Sequence, residues 1–270
     1  MFRAIKALTG LTLLASACAT QAFPTQQTVP GGLAIIPLAS QQQQAPQAYY
    51  EGQRVTVVPN GENWVALVGI PLDAEAGTQQ LEMMDAGTRQ AIVFEVSPKH
   101  YRTQRLRIKD KNKVDPDDES SERIVQEMAL QKRLASQFSG QVPTVDFIRP
   151  VKGRDSGRFG LQRILNGQQR QPHSGMDIAA ASGTPIKAVA PGRVIYTGNL
   201  FFSGNVVYVD HGGGLISMYA HLSRINVRNG EILNQGDNLG LVGQTGRATG
   251  PHLHWSVYLN GTAVNPALFL

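Results

Sequence analysis

A single cysteine, Cys18, stands in 270 residues, which excludes a disulfide framework and any zinc site built from thiolates. No apolar run reaches the roughly 18 residues that a spanning helix needs, so no membrane-spanning segment is expected in the mature chain. A His-Glu-x-x-His motif is also missing, so no motif glutamate is offered as a general base. Charged residues make up only 17% of the chain, yet apolar residues reach 41%, which excludes disorder. At about 150 residues per domain the length allows one or two domains with a well-buried core.

What is present is unevenly distributed. Residues 1–150 hold 15 Lys/Arg and 15 Asp/Glu, whereas residues 151–270 hold 10 and 5, so the whole +5 excess lies in the C-terminal part. Nineteen of the 28 glycines also follow residue 150. The chain therefore divides into two compositionally different portions.

Residues 1–22 have the layout of a secretory signal: Arg3 and Lys6, an apolar run from Ala7 to Ala17, then small residues. Thr20-Gln21-Ala22 offers cleavage before Phe23, while Ala15-Ser16-Ala17-Cys18 is a candidate lipidation box, giving a possible lipid anchor at Cys18. Residues 23–114 follow as a β-sandwich-like front domain with a Gln-, Pro- and Ala-rich linker over 23–48. Strands are expected at Gly32–Leu38, Gln53–Val58, Trp64–Ile70, Gln90–Val96 and Gln104–Lys109, with a hairpin turn at Asn60-Gly61. The Lys99–Lys113 run carries seven basic residues; Leu106 and Ile108 alternate with Arg105, Arg107 and Lys109, the pattern of a solvated edge strand, and no nucleic acid partner is expected.

A connecting helix is expected over 115–140. Asp115 would cap it, Pro116 would open its first turn, Ile124, Met128, Leu134 and Phe138 would form its apolar stripe, and Gly140 would close it. Such a connector, about 36 Å long at about 1.5 Å per residue, would separate the front domain from the rest. Residues 141–270 read as all-β, short strands alternating with turns at Pro191-Gly192, Gly212–Gly214, Asn229-Gly230, Gln235-Gly236 and Asn260-Gly261.

Five of the six histidines fall in the last 98 residues. His173 and Asp177 are four apart in HSGMD, His252 and His254 flank Leu253 in PHLHW, and His221 sits in YAHLS. Side chains two apart on a strand share a face, so His252 and His254 can converge. Ser174-Gly175 disfavours a helix between His173 and Asp177, so an extended loop is expected. Neutral imidazole and carboxylate suit Zn²⁺ where thiolate is absent, and three protein ligands would leave an open position for catalysis. Spacing alone does not say which of the five residues bind. His211, at a strand end beside a glycine turn, reads as a turn residue, and His100 has no claim.

HSGMDIAAASGTPIKAVAPGRVIYTG, VVYVDHGGGLISMYAHLS and GLVGQTGRATGPHLHWSVYLNGTAVNP together resemble the lysostaphin/LytM-type zinc metallopeptidases, from about Phe147 to Leu270. The resemblance implies a mainly β chain whose C-terminal domain is a compact fold of the duplicated hybrid motif type, with a groove in which peptide bonds of bacterial peptidoglycan are cut. It implies that His173, Asp177 and His254 hold Zn²⁺ and that His221 and His252 are the catalytic pair. Gly246, Gly250 and Pro251 would shape the loop that delivers His252. The front domain is similar, more loosely, to the N-terminal region of some secreted members.

The signal and the absence of a recognisable wall-targeting module suggest a periplasmic or envelope enzyme acting on directly cross-linked stem peptides. A D,D-endopeptidase is expected, with glycyl-glycine cleavage second; the competing reading is a non-catalytic wall-binding or regulatory module that keeps the fold. The front domain could be a passive spacer. Alternatively it, or the polar stretch Arg154–Pro172, could cover part of the metal, with Asn166 able to cap the open position.

Overall fold

The protein is described by a computed structural model over residues 23–270 apart from Ala86; the expected signal and Cys18 lie outside the described residues. The front portion comprises β1 (Leu33–Ser40), β2 (Gln47–Tyr50), β3 (Gln53–Arg54), β4 (Thr56–Asn60), β5 (Asn63–Gly69), β6 (Gly77–Asp85) and β7 (Thr88–Val96). These form two antiparallel sheets, β1-β5-β4 and β3-β2-β6-β7, which pack as the expected small sandwich around Ala34, Ile36, Tyr50, Val68, Ile70 and Leu81. The β4–β5 hairpin closes through Gly61, whose φ of 59° lies in the left-handed region.

The apolar run in β5 is explained by what lies on each side of it. Ala66 and Val68 face the sandwich core, while Val65 and Leu67 belong with Val145, Phe147, Leu259 and Phe269 to the C-terminal core. Leu33 and Ala34 of β1 divide in the same way. A sheet covered on both faces needs apolar residues at both parities, and β5 has them. The side-chain amide of Asn260 fastens this contact, accepting from Gly69 N at 2.8 Å and donating to Gly69 O at 3.2 Å. Thr56 Oγ1 donates to Gly213 O at 2.8 Å.

Two expectations for the front portion need correction. The expected Gly32–Leu38 strand is β1, but the rest of residues 23–48 is not a free linker: Thr25 N donates to Leu268 O, Gln27 pairs with Leu33, and the start of β2 is built from this stretch. The basic run does form an edge strand, β8 (Thr103–Leu106), but it leaves the sandwich and pairs in parallel with a strand of the C-terminal portion.

The connecting helix α1 (Asp118–Ala135) is present but shorter than expected, and it packs on the C-terminal portion instead of holding the two portions apart. Asp117, not Asp115, is its N-cap, accepting from Ser120 N at 2.9 Å, and the helix ends at Ser136 rather than Gly140. Asp118 and Glu119 sit at the positive end of the dipole, and Lys132 and Arg133 at the negative end. Of the expected stripe, Leu134 is buried but Met128 is 60% exposed. The packed face instead runs through Glu127, Leu130, Gln131 and Leu134: Glu127 accepts from Phe201 N, Gln131 accepts from Tyr208 Oη, and the two leucines join Leu200, Tyr208, Ile216 and Met218. Polar residues on the contact face hide the stripe from a purely apolar reading.

The C-terminal portion continues with β9 (Arg154–Gly157), β10 (Gln162–Leu165), β11 (Gln168–Arg170), β12 (Met176–Ala179), β13 (Pro185–Lys187), β14 (Gly192–Leu200) and β15 (Gly204–Asp210). It ends with β16 (Ile216–Leu222), β17 (Arg224–Ile225), β18 (Ile232–Leu233), β19 (Asn238–Leu241), β20 (His252–Leu259) and β21 (Thr262–Val264). The main sheet has the order β18-β14-β15-β16-β20-β12-β9, with β21 paired to β20. One face carries Tyr219, Leu253, Trp255 and Val257 into the large core, and the other carries Met218 and Ala220 toward α1. The stretch Arg154–Pro172, expected as a loop, is mostly three strands: β9 at the sheet edge and the β10–β11 hairpin, which takes β8 as its third strand.

Candidate metal centre

Three neighbouring strands bring the site together. Asp177 on β12 is directly opposite His254 on β20, and Ala220 on β16 is opposite His254 from the other side. His252 is two residues before His254 and shares its face. His221 should not: the residue after Ala220 points to the opposite face in a regular strand. A β-bulge overcomes this. Three residues of β15, from Asn205 to Val207, are matched by four of β16, from Leu222 back to Tyr219, and His221 has φ 66° in the left-handed region. Such a bulge re-aims a side chain out of the alternating pattern. The His221 ring lies 4.8 Å from that of His252 and 5.9 Å from that of His254, centroid to centroid.

Each histidine has one ring nitrogen fixed by an acceptor outside the site. His173 Nδ1 lies 2.9 Å from Arg158 O, His221 Nδ1 2.8 Å from Thr245 O, and His252 Nδ1 2.8 Å from Gly250 O. A carbonyl oxygen only accepts, so these Nδ1 atoms carry the proton and each Nε2 is left as a lone pair. In His254 the order is reversed: Nε2 is 3.0 Å from Ser256 Oγ, and Nδ1 faces the site.

His173 Nε2, His254 Nδ1 and Asp177 Oδ1 form a triangle with sides of 2.9, 2.8 and 3.0 Å. Three acceptor atoms this close repel one another unless a cation lies between them, and their spacing suits a small ion with bonds of about 2.0–2.1 Å. Two imidazoles and a carboxylate are donors that divalent zinc accepts, so these residues fit such an ion. Among the described residues this is the grouping of His, Asp and Glu that could hold a metal. Burial raises the Asp177 carboxyl, but the imidazoles of His173 and His254 beside it outweigh that and hold the group well below the usual range. Burial pushes His254 down to about 4, partly opposed by Asp177, and pushes His221 to about 3, helped by the neighbouring His254 and His252. Both rings are therefore neutral near pH 7, the state in which a ring nitrogen can ligate or accept a proton.

The spacing of HSGMD has a steric basis. A Cβ on Gly175 would come within 2.5 Å of Ser256 Oγ and 2.7 Å of His254 Cε1. Gly157 is similarly confined, with Asp177 Oδ2 at 2.3 Å from its ideal Cβ. In the 243–251 loop, Gly246 has φ 72° and would strike Gly204 N at 2.4 Å, whereas Gly250 has open space and contributes its carbonyl to His252.

Residues 171–266 match peptidase family M23, and residues 26–99 match the peptidase family M23 N-terminal domain. A crystal structure from Pseudomonas aeruginosa assigned to peptidase M23 aligns with a TM-score of 0.77 at 41% identity, covering 90% of this chain and 95% of that one. The chain belongs to peptidase family M23. Within the family it is 40% identical over 115 residues to the peptidoglycan DD-endopeptidase ShyA of Vibrio cholerae, covering 42% of this chain and 27% of that protein. It is 44% identical over 94 residues to the DD-carboxypeptidase/endopeptidase Mpg of Neisseria meningitidis, covering 35% of this chain and 22% of that one. The chain thus spans about a quarter of the length of these relatives.

The candidate site includes one residue that the sequence does not signal, and it excludes Asn166. Arg163, on β10, puts Nη2 3.3 Å from Asp177 Oδ2, on the carboxylate oxygen turned away from the triangle. Its stretch, Gln162–Leu165, is expected as loop, and pairing with β8 makes it a strand. Asn166 does not reach the metal triangle. It sits at the β10–β11 turn with φ 49°, and its amide pairs with Ile108 in both directions, at 2.9 and 3.0 Å. His211 lies at the end of β15 beside the glycine turn, as expected, and it is buried, with Nδ1 at 2.8 Å from Pro191 O and Nε2 at 2.7 Å from Ser217 Oγ.

Proposed function

We propose that this M23 chain is a secreted zinc endopeptidase that hydrolyses peptide cross-links of bacterial peptidoglycan, with D,D-cleavage as its specificity. The observation that carries the reading is the acceptor triangle of His173, Asp177 and His254 beside two histidines whose free Nε2 atoms remain uncommitted. The names of the relatives support the substrate class, and the signal-like N-terminus supports export to the periplasm or envelope.

A divalent cation held by the triangle would supply the Lewis acidity that polarises a peptide carbonyl and a water. The chain's own part is proton handling and orientation. His221 Nε2 and His252 Nε2 are the available bases beside the triangle, each locked in rotation by its Nδ1–H bond. One of them takes the proton of the attacking water as the C–O bond forms. The resulting imidazolium donates to the oxygen or the leaving nitrogen of the tetrahedral intermediate as the C–N bond breaks. Arg163 holds Asp177 by its outer oxygen, so that Oδ1 stays directed at His173 and His254.

The test is metal content together with hydrolysis of purified cross-linked muropeptides by the full mature chain. Stoichiometric zinc with release of uncross-linked stems, and sensitivity to chelation, is the expected result. Bound zinc without any cleavage would instead mark a binding or regulatory module.

A further inference from the structure

Arg163, which touches Asp177, has two further arginines near it, Arg170 across the β10–β11 hairpin and Arg247, with too few carboxylates among the three. Arg163 is shared with Asp177, whose charge serves the metal triangle. Arg170 pairs with Asp115 at 3.1 Å, through a carboxylate that is 64% exposed. Arg247 takes part in no ion pair among the described residues. Its guanidinium stacks 4.2 Å over the Phe202 ring and donates from Nη1 to Lys113 O at 3.3 Å. Burial, with the charges of Arg163 and Arg170 adding to it, lowers Arg247 to about 10. Arg163 Nε is also buried with no hydrogen-bond partner. A desolvated cationic cluster with unused donors is an anion site by its chemistry.

What lies on this cluster is a peptide. Lys113 O accepts from Arg247, Val114 O accepts from Arg170 at 2.8 Å, and the next residue, Asp115, gives its carboxylate to Arg170 and to Gln168. Two carbonyls and a carboxylate on three successive residues are thus held by side chains from both ends of the site, Arg170 three residues before His173 and Arg247 five before His252. Lys113 is further tied to the Phe201 carbonyl at 2.8 Å, with its ammonium 3.5 Å over the Phe201 ring.

We propose that Arg247 and Arg170, backed by Arg163, form a subsite for a free carboxylate of the substrate peptide, and that Lys113-Val114-Asp115 rests on it as an internal ligand. The proposal rests on the endopeptidase reading and narrows its substrate to peptides with an ionised carboxyl group near the scissile bond. Binding of such a peptide displaces the 113–115 segment by exchange of like for like: carbonyl for carbonyl, carboxylate for carboxylate.

The experiment uses the metal-loaded full chain and a fluorescently labelled stem tetrapeptide, prepared with free carboxylates or fully amidated; neither contains a bond to be cut. Anisotropy titrations should show the acid binding about tenfold or more tightly than the amide, the scale of a lost charge-assisted hydrogen bond. Arg247→Gln should erase that preference, Arg247→Lys should restore part of it, and Asp115→Asn, at an exposed position, should tighten binding of the acid several-fold. Equal binding of acid and amide, an undiminished preference in Arg247→Gln, or no binding of either peptide overturns the subsite. Hydrolysis is measured separately on a cross-linked dimer. Acid-selective binding without cleavage refutes the peptidase reading but leaves the subsite. Cleavage without acid selectivity does the reverse.

Discussion

His221 shows how one residue can occupy a site against the alternation of its strand: the bulge and a φ of 66° turn its ring toward His252. The proposed division of labour predicts two classes of variant. His254→Ala and Asp177→Ala should lose bound zinc in a metal assay while keeping a β-type circular dichroism spectrum. His221→Ala and His252→Ala should keep the metal and lose about 10²-fold or more in turnover. Full zinc occupancy in His254→Ala would falsify the ligand assignment. Gly175→Ala belongs with the first class, because its methyl group would displace His254 or Ser256; unchanged zinc affinity and rate would contradict that steric argument. His211 gives a pH signature away from the metal. Burial lowers it to about 4, outweighing the Pro191 carbonyl and Asp210, whereas the unfolded chain titrates near 6.5. Between those values the unfolded state binds the extra proton, so this contribution is present above about pH 6.5 and is lost as pH falls toward 4. Urea melts of the protein and of His211→Asn across that window should differ in slope by about one proton; parallel slopes would count against it.

At the scale of elements, α1 separates burial from hydrophobicity. Leu134→Ala should cost about 2–5 kcal/mol by leaving a cavity against Leu200 and Tyr208, while Met128→Ala on the exposed side should stay within about 0.5 kcal/mol. Denaturant midpoints of the two variants check this directly. The same element shows where the sequence was readable. The acidic start of α1 was visible, but its cap lay two residues further on, at Asp117, because Asn112 also reaches back to bond Asp117 N. The residues of the site were legible because HSGMD and PHLHW are compact and their residue types have few other uses together. Arg163 and the β10–β11 hairpin were not, since β10 (Gln-Arg-Ile-Leu) and β11 (Gln-Gln-Arg) show no apolar alternation and β10 is held by pairing with β8. The bulge at His221 was invisible for a related reason: it is fixed by Thr245 and Ser203, distant in sequence, whose backbone carbonyls accept from His221.

For the whole molecule, the front sandwich and the M23 domain share β1 and β5 as a common wall. A fragment beginning at Gly140 would expose Leu259, Val264 and Phe269 where Leu33, Val65 and Leu67 had covered them, and would leave the Asn260 amide without Gly69. Its melting temperature should fall by 10 °C or more relative to the intact protein, on the scale of about 2–4 °C per kcal/mol for a chain of this size. A fragment as stable as the whole would mean that the shared core is dispensable. The same cut removes Lys113–Asp115 from Arg247 and Arg170, so a change in its rate alone could not be attributed to the sandwich; Asp115→Asn in the intact chain separates the two effects.

The wall has a further consequence for local opening. A strand that serves one core can expose its amides when that core loosens, with the remainder of the molecule intact. β5 serves two, hydrogen-bonded to β1 on one side and β4 on the other, so neither core can release it alone. In native-state hydrogen exchange the amides of Val65 to Val68 should therefore open only with global unfolding. Those of β7, with its exposed outer edge and Val93 in solvent, should exchange through smaller fluctuations.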